Sequence, residues 1–280
     1  MNPITPTALA WPALRAFKTN LLIRADSLNK LSTGLRINSG ADDPAGLIAS
    51  ENLRSALAAL EAETRAYERS DYVIATAESA LGEINNLISD AEALAVASAN
   101  TGAMSDAEIE ANQMQMDSIK NSINRIADTA SFNGQKLFDG QLTFRVGNDS
   151  ITVDDVHTSN LGNTVGDGQQ YSLSDIGANG SLSLLAGNLE QTQQVLAAAA
   201  DDISKLRGQL GSFSRNMIQP AIRSLSSPFE NVSAAESLIR DTDYAAETSR
   251  QIRADILVQS SGQALMISNE ARLSILTLIG

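Results

Sequence analysis

The chain has 280 residues, of which 43% are hydrophobic but only 4% aromatic, and none is cysteine. That length supports one large or two modest domains with a true core, and 40 alanines against six prolines favour closely packed long helices over a sandwich, a barrel or a deep ligand pocket. The net charge of -13, with no Lys/Arg cluster, argues against a nucleic-acid binder, and the absent cysteines exclude disulfides, thiolate zinc sites and iron–sulfur clusters.

No cleavable secretory signal is read at the start of the chain, because Arg15, Lys18 and Arg24 sit among its apolar residues. The most apolar stretch, Leu273 to Ile279, is too short to span a membrane. In residues 1–40, Leu14, Phe17, Leu21, Leu28 and Leu31 follow the spacing of a helical seam that Arg24 interrupts. Ser32 to Gly46, with its glycines and Pro44, reads as a structured connector.

From Leu47 to about Asn100 the spacing predicts one long helix. Leu53, Leu60, Tyr67, Ile74, Leu81 and Ile88 recur at a seven-residue interval, beside a smaller column of Ala56, Glu63, Ser70, Ala77, Ile84 and Ala91. Ser105 and Glu108 form a capping-box start for a third helix with the stripe Ile109, Met116, Ile119, Ile123 and Ile126. Residues 141–180 hold the one predicted β region, a hairpin of QLTFRV and ITVD joined through Gly147 to Ser150, followed by a Gly/Asn/Ser-rich stretch. A helical stripe then runs from Leu185 through Leu196, Ile203 and Leu210 to Met217. Pro220 is expected to kink or end that helix, and Pro228 to break it again. The last segment, from about Leu238 to Gly280, is helical in pattern and apolar nearly all round at its end, so it requires burial on several sides. A terminal segment at each end that is too apolar to stay solvated and too thin to form a core points to assembly.

Catalytic chemistry finds little footing. His157 is the one histidine and reads as a solvated loop residue, which rules out paired-histidine metal sites. No nucleophile elbow, phosphate loop or dinucleotide fingerprint occurs. Asp42/Asp43, Asp154/Asp155 and Asp201/Asp202 read as surface or capping pairs, since neighbouring helical side chains diverge by about 100°. Met114, Met116 and Met217 read as core filling. No catalytic, cofactor or metal site is assigned.

LSTGLRINSGADDPAGLIASENLRS (Leu31 to Ser55) resembles the N-terminal signature of bacterial flagellins. EINNLISDAEALAVASAN (Glu83 to Asn100), SFNGQKLFDG (Ser131 to Gly140), SLIRDTDYAAETSRQIRADILVQSSGQAL and LSILTLIG match further blocks of that family in the same order, covering about 1–140 and 181–280. The resemblance implies a mainly α fold, a long antiparallel helical bundle or coiled coil built from both ends of the chain with a small β-hairpin insert. Residues 1–46 and 238–280 would form the inner filament core, 47–140 with 181–237 the surrounding helical tube, and 141–180 the insert. Outer surface domains carried by many flagellins have no counterpart here.

It further implies a structural subunit polymerising into the extracellular flagellar filament for swimming, with no enzymatic activity. Leu14, Phe17, Leu21, Leu28 and Leu31, with Ile256, Leu257, Leu265, Met266, Leu273 and Leu276, would make the inner-tube contacts; a purely intramolecular helical core is the alternative. Arg36, Asp42 and Asp43 lie where the family places contacts between subunits, against the alternative of a plain surface turn. The implied partners are copies of itself, other flagellins of the same filament, flagellar cap and hook-junction proteins, the type III export apparatus and a cytoplasmic chaperone, with no nucleic acid and no membrane insertion. Some flagellins are bound by an innate immune receptor through the segment equivalent to Asp90 to Val96. Leu94 is kept there, but Asp90 and Glu92 replace the basic residues of receptor-bound members, so recognition should be weakened. A hook–filament junction protein with flagellin-like ends is the rival reading. A helical-bundle enzyme lacks the histidines for paired metal motifs, and a membrane-surface protein lacks a basic helical face.

Overall fold

The computed structural model describes residues 7–99, 104–166 and 169–279, without the side chains of 7–10, 166 and 271–279. Six long helices dominate: α1 (Thr7–Thr33), α2 (Pro44–Ser98), α3 (Asp106–Thr129), α4 (Leu189–Phe213), α5 (Gln219–Arg240) and α6 (Tyr244–Ile279). Three separate antiparallel hairpins lie between α3 and α4: β1 (Ser131–Phe132) with β2 (Gln135–Lys136), β3 (Thr143–Val146) with β4 (Asp149–Thr152), and β5 (Thr164–Gly166) with β6 (Gln169–Tyr171). The chain divides into two compact units, Met1–Leu60 with Pro228–Gly280, and Glu61–Ser227, so α2 and α5 each contribute to both.

In the first unit α1 packs along α6. Arg24 meets Asp255 and Phe17 lies against Gly262, which makes the pair antiparallel. The final helical stretch does not begin at Leu238 as the pattern predicts. α5 ends at Arg240 and a short break precedes α6, where the Asp243 carboxylate accepts the backbone N–H groups of Ala245 and Ala246. That cap satisfies donors the first turn leaves free, and so starts a new helix.

The second unit holds the hydrophobic core. Ile74, Ala77, Leu81, Ile84, Ile88, Ala91 and Ala95 on α2 face Met116, Ile123 and Ala127 on α3 and Val195, Leu196, Ala199, Ile203, Leu206 and Leu210 on α4. The three- and four-residue spacing of these positions keeps one face of each helix inward. Of the predicted methionines, Met116 is fully buried and Met217 packs against the core, whereas Met114 is 64% exposed and fills nothing. At the start of α3, Glu108 accepts from both the Ser105 backbone N–H and its hydroxyl, which supplies the glutamate half of the capping box.

Three expectations from the sequence are corrected in this unit and its margin. Asn133-Gly134 forms a further hairpin turn between β1 and β2, with both residues at positive φ (51° and 82°), the backbone geometry of a type I′ turn. In the predicted hairpin, β4 begins at Asp149, leaving a two-residue turn that starts with Gly147 at φ 60°. Pro228 does not break the returning helix, and Pro220 marks a disturbance without ending it, α4 passing into α5 with no non-helical residue between them. At Pro220 the chain absorbs the missing donor with a π turn, Ser214–Ile218, in which the Gln219 N–H donates to the Ser214 carbonyl five residues back. Pro228 lies within α5.

Residues 153–188 carry little regular structure, and side chains of α3 and α4 satisfy their backbone. Buried Gln113 donates to the Ile176 carbonyl (3.0 Å) and accepts from the Leu184 N–H (2.7 Å). Asn124 accepts from Thr158 backbone and hydroxyl, Asp117 from the Ala178 N–H, and Asp202 from the Gly162 N–H. These bonds replace a sheet ladder in meeting the needs of a buried backbone.

Candidate assembly interface

The fully buried positions of the α1–α6 pair are polar or small, and many of its large apolar side chains stand exposed. Ser27, Ala254 and Glu247 are its buried positions, with Arg24, Gln251, Asp255, Ser261 and Gly262 half-buried. Of the inner-contact residues predicted from sequence, Leu14, Phe17, Leu31 and Leu265 are half-buried in this pair, whereas Leu21, Leu28, Leu257, Met266 and Ile256 face outward, the last two about 60% exposed. The side chains of Leu273 and Leu276 lie outside the described residues. Trp11, Leu22, Ile23, Ile252 and Ile267 join the outward set, Leu22 being 72% exposed. Most of them lie off the single stripe sought in the sequence; the signal that would have found them is a helix apolar on more than one face. Exposed large apolar side chains gathered on two paired helices mark an interaction site.

The connector from Gly34 to Asp43 is tightly organised. Gly34, at φ 74°, ends α1 by donating its N–H to the Lys30 carbonyl, and a Cβ there would stand 2.9 Å from the Tyr244 hydroxyl. Gly34 and Arg36 then pair with Thr242 and Arg240 in a short antiparallel bridge, with N···O distances of 2.9 and 2.6 Å. The Arg36 guanidinium donates to the Ile239 and Leu238 carbonyls, satisfying acceptors at the end of α5. Asp42 accepts from Asn38 and Ser39, and these bonds hold its carboxyl below the ordinary value. Asp43 caps α2 by accepting from the Gly46 N–H (2.9 Å), just before Pro44 opens the helix. All three predicted contact residues are therefore engaged within the chain, while their exposed surfaces face solvent.

In the second unit, Asp90 is exposed and Glu92 half-buried on α2, and Leu94 packs against the core. Asp90 and Leu94 line a shallow groove of about 540 Å³ together with Leu87, Gln115 and Ile119.

His157 is not the solvated loop residue expected. Its side chain is 28% exposed; Nδ1 bonds to Asp155 and Nε2 lies 3.5 Å from Asp128, which also pairs with Lys136 at 3.1 Å. The bond to Asp155 is the main reason its pKa is raised above the ordinary value, burial opposing it. Asp201 pairs with Lys205 one helical turn on, as a surface charge does, whereas Asp202 holds the Gly162 backbone. Among the described residues no group of three His, Asp or Glu side chains is placed to hold a metal, and no helix is long and apolar enough to cross a membrane.

Residues 7–143 match the bacterial flagellin N-terminal helical region and residues 183–279 the bacterial flagellin C-terminal helical region. Flagellin of Bacillus subtilis is 30% identical, the match covering 95% of this chain and 96% of the relative. Flagellin of Halalkalibacterium halodurans is 32% identical over 96% and 97% of the two chains. The flagellar filament 33 kDa core protein of Treponema phagedenis is 30% identical over 93% of each. A solved structure from Vibrio parahaemolyticus, assigned as flagellar hook-associated, shares the fold at a TM-score of 0.57 with 13% identity, covering 71% of this chain and 99% of its own. With both terminal helical regions matched and the relatives aligned over nearly their whole length, the chain belongs to the bacterial flagellin family.

Proposed function

We propose that the outward apolar faces of α1 and α6 drive polymerisation, each terminal pair being completed by neighbouring copies. As a flagellin the chain is a structural, non-enzymatic subunit of the extracellular flagellar filament and serves motility. The observation that carries the proposal is the pair itself: two helices of 27 and 36 residues that keep Leu22, Ile256 and Ile267 in solvent while burying Ser27 and Glu247. A head-to-tail interface repeated by a rotation and rise that does not close yields an open helical polymer.

In this reading 1–46 and 238–280 form the inner core, with Leu14, Phe17, Leu21, Leu28, Leu31, Ile256, Leu257, Leu265, Met266, Leu273 and Leu276 at its contacts. Residues 47–140 and 181–237 form the surrounding tube, and 141–180 the insert. Arg36, Asp42 and Asp43 give the connector the fixed shape that a neighbour meets. Before assembly the same apolar faces need cover, which suits unfolded export through the type III apparatus with a chaperone on the C-terminal segment. Asp90 and Glu92 weaken innate immune recognition; full-strength signalling by purified monomer would falsify that point.

Deleting residues 238–280 tests the main proposal. Loss of pelletable filaments, seen by electron microscopy, is expected, and normal filaments from the truncated chain overturn it. A hook–filament junction role has only the fold-level likeness in its favour. It predicts limited rings, whereas a filament subunit extends seeds into long polymers.

A further inference from the structure

We propose that Arg24 and Asp255 act as a register pin, selecting the one antiparallel alignment of α1 on α6 from which filament assembly proceeds. The proposal rests on the assembly reading above and assigns a role to the residue that interrupts the N-terminal apolar seam. Arg24 Nε lies 2.7 Å from Asp255 Oδ1, with the two side chains 43% and 32% exposed, so both are partly sunk into the pair. From its own helix, Gln251 Nε2 donates to Asp255 Oδ2, which holds the carboxylate in place from the other side.

At one end the short bridge of Gly34 and Arg36 with Thr242 and Arg240 ties the two helices, and Arg24–Asp255 lies further along the pair, where the fully buried side chains are small. Ser27 and Ala254 are buried and Ser261 and Gly262 half-buried, all of them small, while Leu14, Phe17, Leu31, Val258 and Leu265 are half-buried apolar side chains, Phe17 lying against Gly262. Small residues permit close approach, and the half-buried Phe17 and Leu31 lie one heptad to either side of Arg24, so an alignment a heptad away still brings apolar side chains into the pair and differs most at the charged position. A slide of seven residues, about 10.5 Å along a helix, brings Asp255 opposite Leu31 or Phe17 and Arg24 opposite Thr248 or Gly262. Either slide leaves a partly buried carboxylate against an apolar side chain and its former cation without a partner. The penalty falls on the wrong alignments. A partly exposed ion pair adds little to the stability of the right one, so its effect is selection, as with single polar residues in coiled-coil seams. Register matters here because the outward residues of the two helices, Leu22 and Leu28 with Ile252, Ile256 and Met266, form one defined surface for neighbours only when the helices are aligned in one way.

The test uses the full chain with Arg24→Asp, Asp255→Arg and the double reversal, each polymerised in ammonium sulfate and scored by pelleting, with electron cryo-microscopy of the α1–α6 alignment. Each single reversal is expected to lose at least about ten-fold in filament yield or to assemble with a shifted alignment, and the double reversal to recover both yield and alignment. An unchanged thermal transition of the core unit in all three variants excludes a general folding defect. Normal yield and alignment in the single reversals, or a double reversal no better than the singles, overturns the pin. Ile256→Asp assayed alongside separates the two ideas. If it abolishes assembly while the reversals do nothing, the pin alone falls; if it assembles normally, the assembly reading falls as well.

Discussion

The two units of this chain use the same building material, long alanine-rich helices, in opposite ways. Among the described residues the unit spanning Glu61–Ser227 contains every buried apolar side chain except Ile37 and Ala254. The unit formed by the chain ends buries serine and glutamate and leaves leucine, isoleucine and tryptophan in water. Helices of this length gain most of their stability from packing an apolar face rather than from propensity, so the first arrangement is self-sufficient and the second is not. The difference teaches that a hydrophobic seam has no intrinsic owner. The same seven-residue column on α2 supplies Ile74, Leu81 and Ile88 to the core of its own chain, while its earlier members Leu53, Leu60 and Tyr67 remain only half-buried.

The largest expected effect separates the units most sharply. Leu81→Ala empties a fully buried position, and deletions of this kind cost about 2–5 kcal/mol. The denaturant midpoint of the dilute monomer should fall accordingly. Ile256→Asp, at a position 61% exposed, should leave that midpoint within about 0.5 kcal/mol and abolish sedimenting polymer. If Ile256→Asp destabilises the monomer as much as Leu81→Ala does, the contrast between the units is wrong.

Gln113→Leu comes next. It removes both partners that Gln113 gives to the Ile176 carbonyl and the Leu184 N–H, and unsatisfied buried groups cost roughly 1–3 kcal/mol each. Hydrogen exchange should accelerate between residues 173 and 186 first, because those backbone groups depend on the side chain. Uniform acceleration over the whole unit would mean that the irregular segment has no separate stability.

How much of this was legible in the sequence follows from the physics of each signal. The helices and their inward faces were readable because period and length are local properties, and the flagellin signature lay in contiguous residues. Which faces meet another copy was not readable, since apolar spacing is the same for an internal and an external seam. Gln113, Asn124 and Asp202 look like surface residues on helices, and only the path of residues 153–188 gives them a buried backbone to satisfy. The Asn133-Gly134 dipeptide carries a turn signal of its own, but its two-residue strands show too little alternation to mark a hairpin. Pro220 signals a disturbance in the sequence, but a π turn accommodates it without ending the helical path.

Gly262→Ala probes the terminal pair in the stabilising direction. An added Cβ would sit 3.6 Å from the Phe17 ring, an ordinary contact, and alanine is favoured over glycine in helix interiors by about 1 kcal/mol. Filaments of this variant should depolymerise at a temperature a few degrees higher, with the thermal transition of the core unit unmoved. A lower depolymerisation temperature would show that the close approach at Gly262 is needed for a neighbouring helix.

The smallest effect is expected within the core unit, from His157, and it is visible only as a dependence on pH. The Asp155 and Asp128 carboxylates, joined by Lys136 on β2 as an opposing positive charge, surround the ring from its own loop and from α3. Hydrogen bonding to Asp155 favours the imidazolium, so the pKa of the folded state lies above the unfolded value of about 6.5. The folded protein then holds the proton more tightly than the unfolded chain does. The resulting stabilisation is complete below pH 6.5 or so, and is lost as pH rises through the raised value. His157→Gln should therefore lower the thermal midpoint at pH 6 and leave a smaller difference, or none, at pH 9. The carboxylates impose the opposite trend at acid pH, where protonation of Asp155 and Asp128 removes the partners of the ring, so the wild-type advantage also shrinks well below pH 4. A deficit equal at pH 6 and pH 9 would assign His157 to packing alone. Because the ring belongs to the unit that holds the hydrophobic core, the pH effect should appear in dilute monomer and polymer alike, whereas a change confined to polymer would place His157 at a contact between copies.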